Sequence, residues 1–135
     1  MLAASVVVKW FHRQGGRHVD AALVLREQFS AGELRALAPP LLALEVVNLA
    51  ARRWRWPQAR LERLAEALAL LRFDLVEPDL ATVARWAARG LTAFDAAYVA
   101  VAEQAGAQLI TDDDTLVRAA PGLAVALADA AGHEA

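Results

Sequence analysis

Acidic side chains set in apolar surroundings are where this sequence could do chemistry. Residues 109–116 read LITDDDTL, which places Asp112, Asp113 and Asp114 directly after a short apolar run. Adjacent anions raise one another's pKa unless a cation sits among them, and an N-cap role accounts for one of the three. Between Ala38 and Ala51 the polar residues are Glu45 and Asn48. Three residues apart, they share one helix face. A buried glutamate needs a partner. Glu45 is therefore an exposed stripe residue, the partner of an arginine, or a metal ligand. Asp95 is the one charge between Thr92 and Glu103. Thr92-x-x-Asp95 has the form of a capping box, with Asp in place of Glu or Gln, and a capping carboxylate can still face a metal. Each cluster alone is a weak signal. Together they point to one acidic pocket for Mg²⁺ or Mn²⁺, ions that prefer oxygen ligands and keep several waters. Such a pocket suits phosphodiester hydrolysis. His12, His18 and His133 show no ligand spacing and are expected at the surface.

The elements that must position these acids alternate between strand and helix. Leu2 to Lys9 is a Val-rich apolar run, read as a buried parallel strand. Lys9 at its end is expected in solvent, or near a phosphate. Val19–Phe29 has helical spacing and stops at Gly32. A short strand at Leu37-Ala38 precedes Pro39-Pro40, which opens a helix over Leu41–Arg53. Gln58–Arg72 is amphipathic, with Leu61, Leu64, Leu68 and Leu71 on one face. Phe73–Glu77 reads as a strand, Pro78–Arg89 as a helix ended by Gly90, and Thr92–Ala105 as a helix ended by Gly106. Gln108–Thr111 is a strand, Asp114–Ala120 a short helix and Leu123–Leu127 a last strand. This alternation predicts an α/β fold, with a central parallel β-sheet flanked by helices in a single domain. Ligands of such sheets bind outside the carboxyl ends of the strands, where the three consecutive aspartates lie.

Composition narrows the classes. The chain has 135 residues, no cysteine and a net charge of −2. That excludes disulfides, thiolate metal sites and cysteine nucleophiles, and it does not fit a protein that holds nucleic acid by bulk charge. Any polyanion must bind at a local patch or through a metal. No apolar stretch is long enough to span a membrane, and MLAASVVVKWFHR lacks a basic leader. We expect a cytoplasmic protein, with residues 1–130 as the domain and 131–135 as a disordered tail. ARRWRWPQARLER, residues 51–63, interleaves five arginines with Trp54 and Trp56. It reads as a solvated helix corner, a groove for a protein partner, or a surface for single-stranded RNA. Trp10, Phe11 and Trp86 are expected in the core or at a dimer contact.

ASVVVKWF, PPLLALEVVNLAAR, LTAFDAAYVAVAEQAGAQLITDDDTL and RAAPGLAV together resemble the PIN-domain ribonucleases, specifically the VapC-type toxins of toxin–antitoxin pairs. The resemblance covers residues 2 to about 127. It implies a PIN-like fold, a homodimer, a cognate antitoxin protein that occludes the site, and an acidic Mg²⁺/Mn²⁺ centre that cleaves an RNA substrate. Carried over, the family's helix glutamate falls on Glu45 with Asn48 in support. The next aspartates fall on Asp95, in Phe94-Asp95-Ala96, and on Asp113, between Thr111 and Leu116. Asp114 becomes an accessory ligand, and Ser5 and Thr111 supporting residues. One departure is serious. The family's first strand carries an aspartate where this chain has Ala3, and a methyl group binds no metal. Ala3 fits an engineered inactivation, a degenerate paralogue, or a working variant in which Asp112 or Asp114 replaces the lost ligand. The competing function is a non-catalytic PIN-like module that sequesters an antitoxin. A phosphoacceptor receiver domain is disfavoured, because it needs a lysine after its final strand and the one lysine here is Lys9.

Overall fold

The computed structural model describes residues 1–12 and 18–132. Helix α1 (Ala4–Val7) runs into a 3-10 turn over Val8–Trp10. Then come α2 (Val19–Ser30), β1 (Leu37–Ala38), α3 (Leu41–Arg52), α4 (Gln58–Leu70), β2 (Asp74–Leu75) and α5 (Leu80–Ala87). The chain closes with α6 (Ala93–Ala105), β3 (Leu109–Thr111), α7 (Asp114–Ala119), β4 (Ala124–Ala126) and α8 (Leu127–Gly132). The tail expected at 131–135 thus begins inside α8, and residues 133–135, His133 among them, lie outside the described residues.

All strand pairing is parallel among the described residues. β1 pairs with β2 in the register Leu37↔Asp74 and Ala38↔Leu75. β3 pairs with β4 from Leu109↔Ala124 to Thr111↔Ala126. On the other side of β3, Leu2 bridges Ile110. The Ile110 N–H donates to the Met1 carbonyl (2.8 Å), and the Ala3 N–H donates to the Ile110 carbonyl (3.0 Å).

The expected first strand is therefore corrected. It lasts through Ala3, and Ala4 to Trp10 is helical. The register gives the reason. In step with Leu2↔Ile110, the residue opposite Ala4 would be Asp112, where the chain has already left β3 for α7. With no strand edge beside it, the backbone of Val6 to Lys9 must satisfy its polar groups internally. Helix does that, and the apolar run fits a buried helix as well as a strand.

α6 forms the centre of the core. Ala96 to Ala102 are all buried, as expected of a helix apolar on every side. Its ends explain its length. The Thr92 hydroxyl accepts the Asp95 N–H at 3.1 Å, and Gly106 ends the helix in the left-handed region at φ 64°, where glycine carries no Cβ penalty. At the far side of the core, Trp10 stacks on Phe29 and Phe73, with centroids 5.8 and 6.2 Å away. Its indole N–H donates to the Ala22 carbonyl at 2.8 Å, which ties the 3-10 turn to α2.

Trp10→Ala should therefore cost about 3–5 kcal/mol, a large share of a domain's total stability. Trp10→Phe should cost less, since a ring remains. Urea denaturation checks this. A loss under ~1 kcal/mol for Trp10→Ala would remove Trp10 from the centre of that cluster.

Candidate functional site

Three elements bring carboxylates toward one place at the carboxyl ends of the strands. Glu45 lies in the second turn of α3, Asp95 in the first turn of α6, and Asp113 caps α7 immediately after β3. Each is half-buried. Their charges act on one another in sequence. Asp95 is held above the usual carboxylate range by burial and by the charge of Asp113, against the Thr92 hydrogen bond that lowers it. Glu45 is raised chiefly by burial, with the charge of Asp95 adding to it.

Tyr98, one turn beyond Asp95 on α6, is buried with its hydroxyl toward Glu45. Burial and that neighbouring carboxylate push the phenol strongly upward, so it stays protonated. The hydroxyl is near enough to favour ionised Glu45, yet it completes no well-formed hydrogen bond. Glu45 Oε1 and Tyr98 Oη are both buried without a hydrogen-bond partner among the described residues. A buried carboxylate oxygen without a partner is costly, and it is the kind of acceptor a cation relieves.

The loop that presents Asp113 is tied down by the residues around it. Ser5 Oγ accepts the Asp112 N–H at 3.0 Å and stands 3.3 Å from Thr111 Oγ1. Thr111, itself buried, accepts the Asp113 N–H at 3.1 Å. Asp113 Oδ1 accepts the Thr115 N–H at 2.9 Å. Ser5 and Thr111 thus fix the loop. Asn48 is exposed one turn beyond Glu45, and Asp114 is exposed in the first turn of α7.

Lys9 departs from expectation. Its residue is 8% exposed, and Nζ lies 3.1 Å from Asp112 Oδ2. The other oxygen, Oδ1, is 2.9 Å from His18 Nδ1. Lys9 is therefore neither solvated nor poised alone for a phosphate. Asp112, with both oxygens engaged, is not placed to substitute for the carboxylate that Ala3 lacks. His18 is exposed at the surface, as expected, and reaches Asp112 from there; His12 is half-buried and packs on Trp54 at 3.8 Å between centroids. Sequence reasoning missed Lys9 because the run was read as a strand. On a helix, Ser5 and Lys9 are one turn apart and share a face.

Ala3 is buried at the end of the segment paired with β3, beside the start of this loop. An apolar groove of about 380 Å³ also exists between α3 and α4, lined by Leu42, Leu44, Val47, Leu68 and Phe73 among others. It contains no titratable group and is separate from the acids.

The arrangement defines a class: a small α/β domain with coupled acidic side chains from three elements near the carboxyl ends of parallel strands. The chain belongs to the PIN-domain family, whose model matches residues 1–121. PIN domains are generally nucleases that use divalent metal ions. A solved structure similar to this one is that of PAE2754 from Pyrobaculum aerophilum. The two are 27% identical with a TM-score of 0.66, over 98% of this chain and 92% of that one. No curated protein matches the chain. No three acidic or histidine side chains among the described residues stand close enough to form a ready-made metal cage. Mg²⁺ does not require one, because it retains waters and is commonly held by one or two carboxylates. The partnerless Glu45 oxygen and the mutual repulsion of Asp95 and Asp113 fit such an ion.

Two measurements follow. Lys9→Met removes one of the partners of half-buried Asp112 and should cost about 1–3 kcal/mol, with Lys9→Met/Asp112→Asn recovering part of that loss. Additive losses in urea denaturation would show that the pair does not act as a unit. Glu45→Gln should stabilise the metal-free protein at neutral pH. Below the ordinary carboxylate range Glu45 is protonated folded or unfolded and carries no penalty. Because the folded pKa is raised, stability falls as pH climbs through that range toward the folded value. The variant's melting temperature should exceed the parent's at pH 7. The gap should close near pH ~4. A parent at least as stable as the variant at pH 7 would contradict the burial account.

Proposed function

We propose that this chain is the toxin component of a toxin–antitoxin pair, built as a Mg²⁺/Mn²⁺-dependent endoribonuclease and impaired by Ala3. The observation that carries this reading is the coupling of Glu45, Asp95 and Asp113 around a buried carboxylate oxygen that lacks a partner. Asp95, Asp113 and Glu45 would hold the metal, with Asp114 as an accessory ligand and Asn48 in support. A bound divalent ion would neutralise the scissile phosphate and activate water. The protein's part is placement. α6 and α3 hold Asp95 and Glu45 on rigid helices, and the Ser5–Thr111 hydrogen bonds fix the loop that offers Asp113. Removing an outer-shell partner alone typically costs about 10–100-fold in metal affinity or activity, so a missing ligand at Ala3 should cost at least as much. A cytoplasmic homodimer with a cognate antitoxin and an RNA substrate completes the proposal.

The second reading is a non-catalytic PIN-like module that binds an antitoxin. Ala3, where the resembling family has an aspartate, favours it.

RNA cleavage with Mn²⁺ decides between them. Ala3→Asp should cleave at least about tenfold faster than the parent, and Ala3→Asp/Asp95→Asn should return to background. If Ala3→Asp neither binds Mn²⁺ nor cleaves, the enzyme reading fails and the binding module stands.

A further inference from the structure

The corner between α3 and α4 carries a feature that the acidic site does not use. α3 ends in a turn in which the Trp56 N–H reaches back to the Ala50 carbonyl at 3.1 Å, with Arg55 in the left-handed region at φ 52°. An arginine thus holds a left-handed position that glycine adopts without strain. The turn sets the Trp54 and Trp56 rings 5.7 Å apart. His12 lies on Trp54, and the Arg60 guanidinium sits 3.6 Å above the Trp56 ring. His12, Trp54, Trp56 and Arg60 thus form a continuous ladder of flat groups at the surface, with both indoles half-buried.

The surrounding charge is one-sided. Arg52, Arg53, Arg55, Arg60 and Arg63 are all exposed, and none has a carboxylate partner among the described residues. Glu62, the acid nearest in sequence, is engaged by Gln58 at 2.8 Å. In a chain of net charge −2, five arginines against one glutamate leave residues 51–63 a locally positive patch. α3 connects it to the acids: Glu45, Asn48 and Arg52 share one helix face, and Arg52 lies two turns, about 10 Å, from Glu45.

We infer that this corner is a binding platform for single-stranded RNA, which stacks a base on the exposed Arg60 end of the Trp54–Trp56–Arg60 ladder and places phosphates on the surrounding arginines. The chemistry selects a single strand. Stacking on aromatic side chains needs unpaired bases, which a duplex keeps inside its own stack. The inference rests on the reading of the acidic crevice as an RNA site, and it gives that crevice a direction: the strand runs along α3 from the platform toward Glu45.

The test is fluorescence anisotropy of a labelled, unstructured 15-nucleotide RNA, and of the same sequence as a duplex, with the full chain in EDTA. Without divalent metal, binding is read apart from cleavage. The single strand should bind at least about tenfold more tightly than the duplex. Trp56→Ala should weaken it roughly tenfold, the order of one lost base stack, and Trp56→Phe should retain most of the affinity. Arg55→Gly relieves the left-handed strain, so it should fold at least as stably as the parent while lowering the salt slope by about 0.7, the value of one phosphate contact on a single strand. A variant that is stable and yet binds less well cannot be explained by misfolding. RNA affinity unchanged in both Trp56→Ala and Arg55→Gly, or equal affinity for duplex and single strand, would overturn the platform; a protein partner would then be the occupant to seek. If Ala3→Asp fails to cleave while these variants still lose RNA, the nuclease reading falls and the platform stands.

Discussion

The geometry of the acidic crevice depends on one buried ion pair, Lys9 with Asp112. An ammonium taken out of water must find an anion, and the carboxylate that answers it sits in the loop between β3 and α7. His18 closes on the other oxygen, and Ser5 holds the backbone of the same residue. The next residue, Asp113, is thereby delivered to a fixed place, where its charge acts on Asp95 and, through Asp95, on Glu45. A three-residue strand could not by itself impose such precision on the loop that follows it. The pair also answers why three aspartates stand in a row: one anchors, one faces the crevice and caps α7, and one begins the helix in solvent.

The crevice is held together by its surroundings against its own charge. Burial and mutual repulsion disfavour the ionised forms of Glu45 and Asp95, and Tyr98 offers incomplete relief. Such unrelieved groups persist when the rest of the structure over-determines them. Here α6 supplies that determination, buried along seven consecutive residues from Ala96 to Ala102 and capped at both ends. These carboxylates therefore cost the fold stability, the kind of cost that working sites commonly carry.

Much of this was legible in the sequence. Prolines at helix starts, glycine stops and the Thr92 cap marked the helices from α2 to α7, because those signals act locally and the local answer agreed with the global one. Glu45 and Asp95 stood out because charge is rare in apolar helices. Two things were not legible, for one reason. Val6 to Lys9 was read as strand because apolar periodicity cannot separate a buried strand from a buried helix. What decided the matter was the length of β3, a residue more than a hundred positions away. Lys9 was misplaced with it, since its partner Asp112 comes within reach once the run coils and turns the Ser5–Lys9 face toward the loop. The coupling of Tyr98 to Glu45 is likewise a contact between α6 and α3 that no local spacing announces.

Ala3 separates two capacities that a working nuclease combines. In the proposed nuclease, a carboxylate at position 3 would bear on metal binding, and so on bond cleavage. It does not bear on the arginine and tryptophan corner, which stands at the turn between α3 and α4, about two helical turns from Glu45. A chain silenced at Ala3 should therefore keep whatever affinity that corner confers, and would hold its ligand without turning it over. The catalytic reading and the binding-module reading then describe one architecture with and without a single carboxylate, and the difference between them lies in the residue at position 3 rather than in the fold.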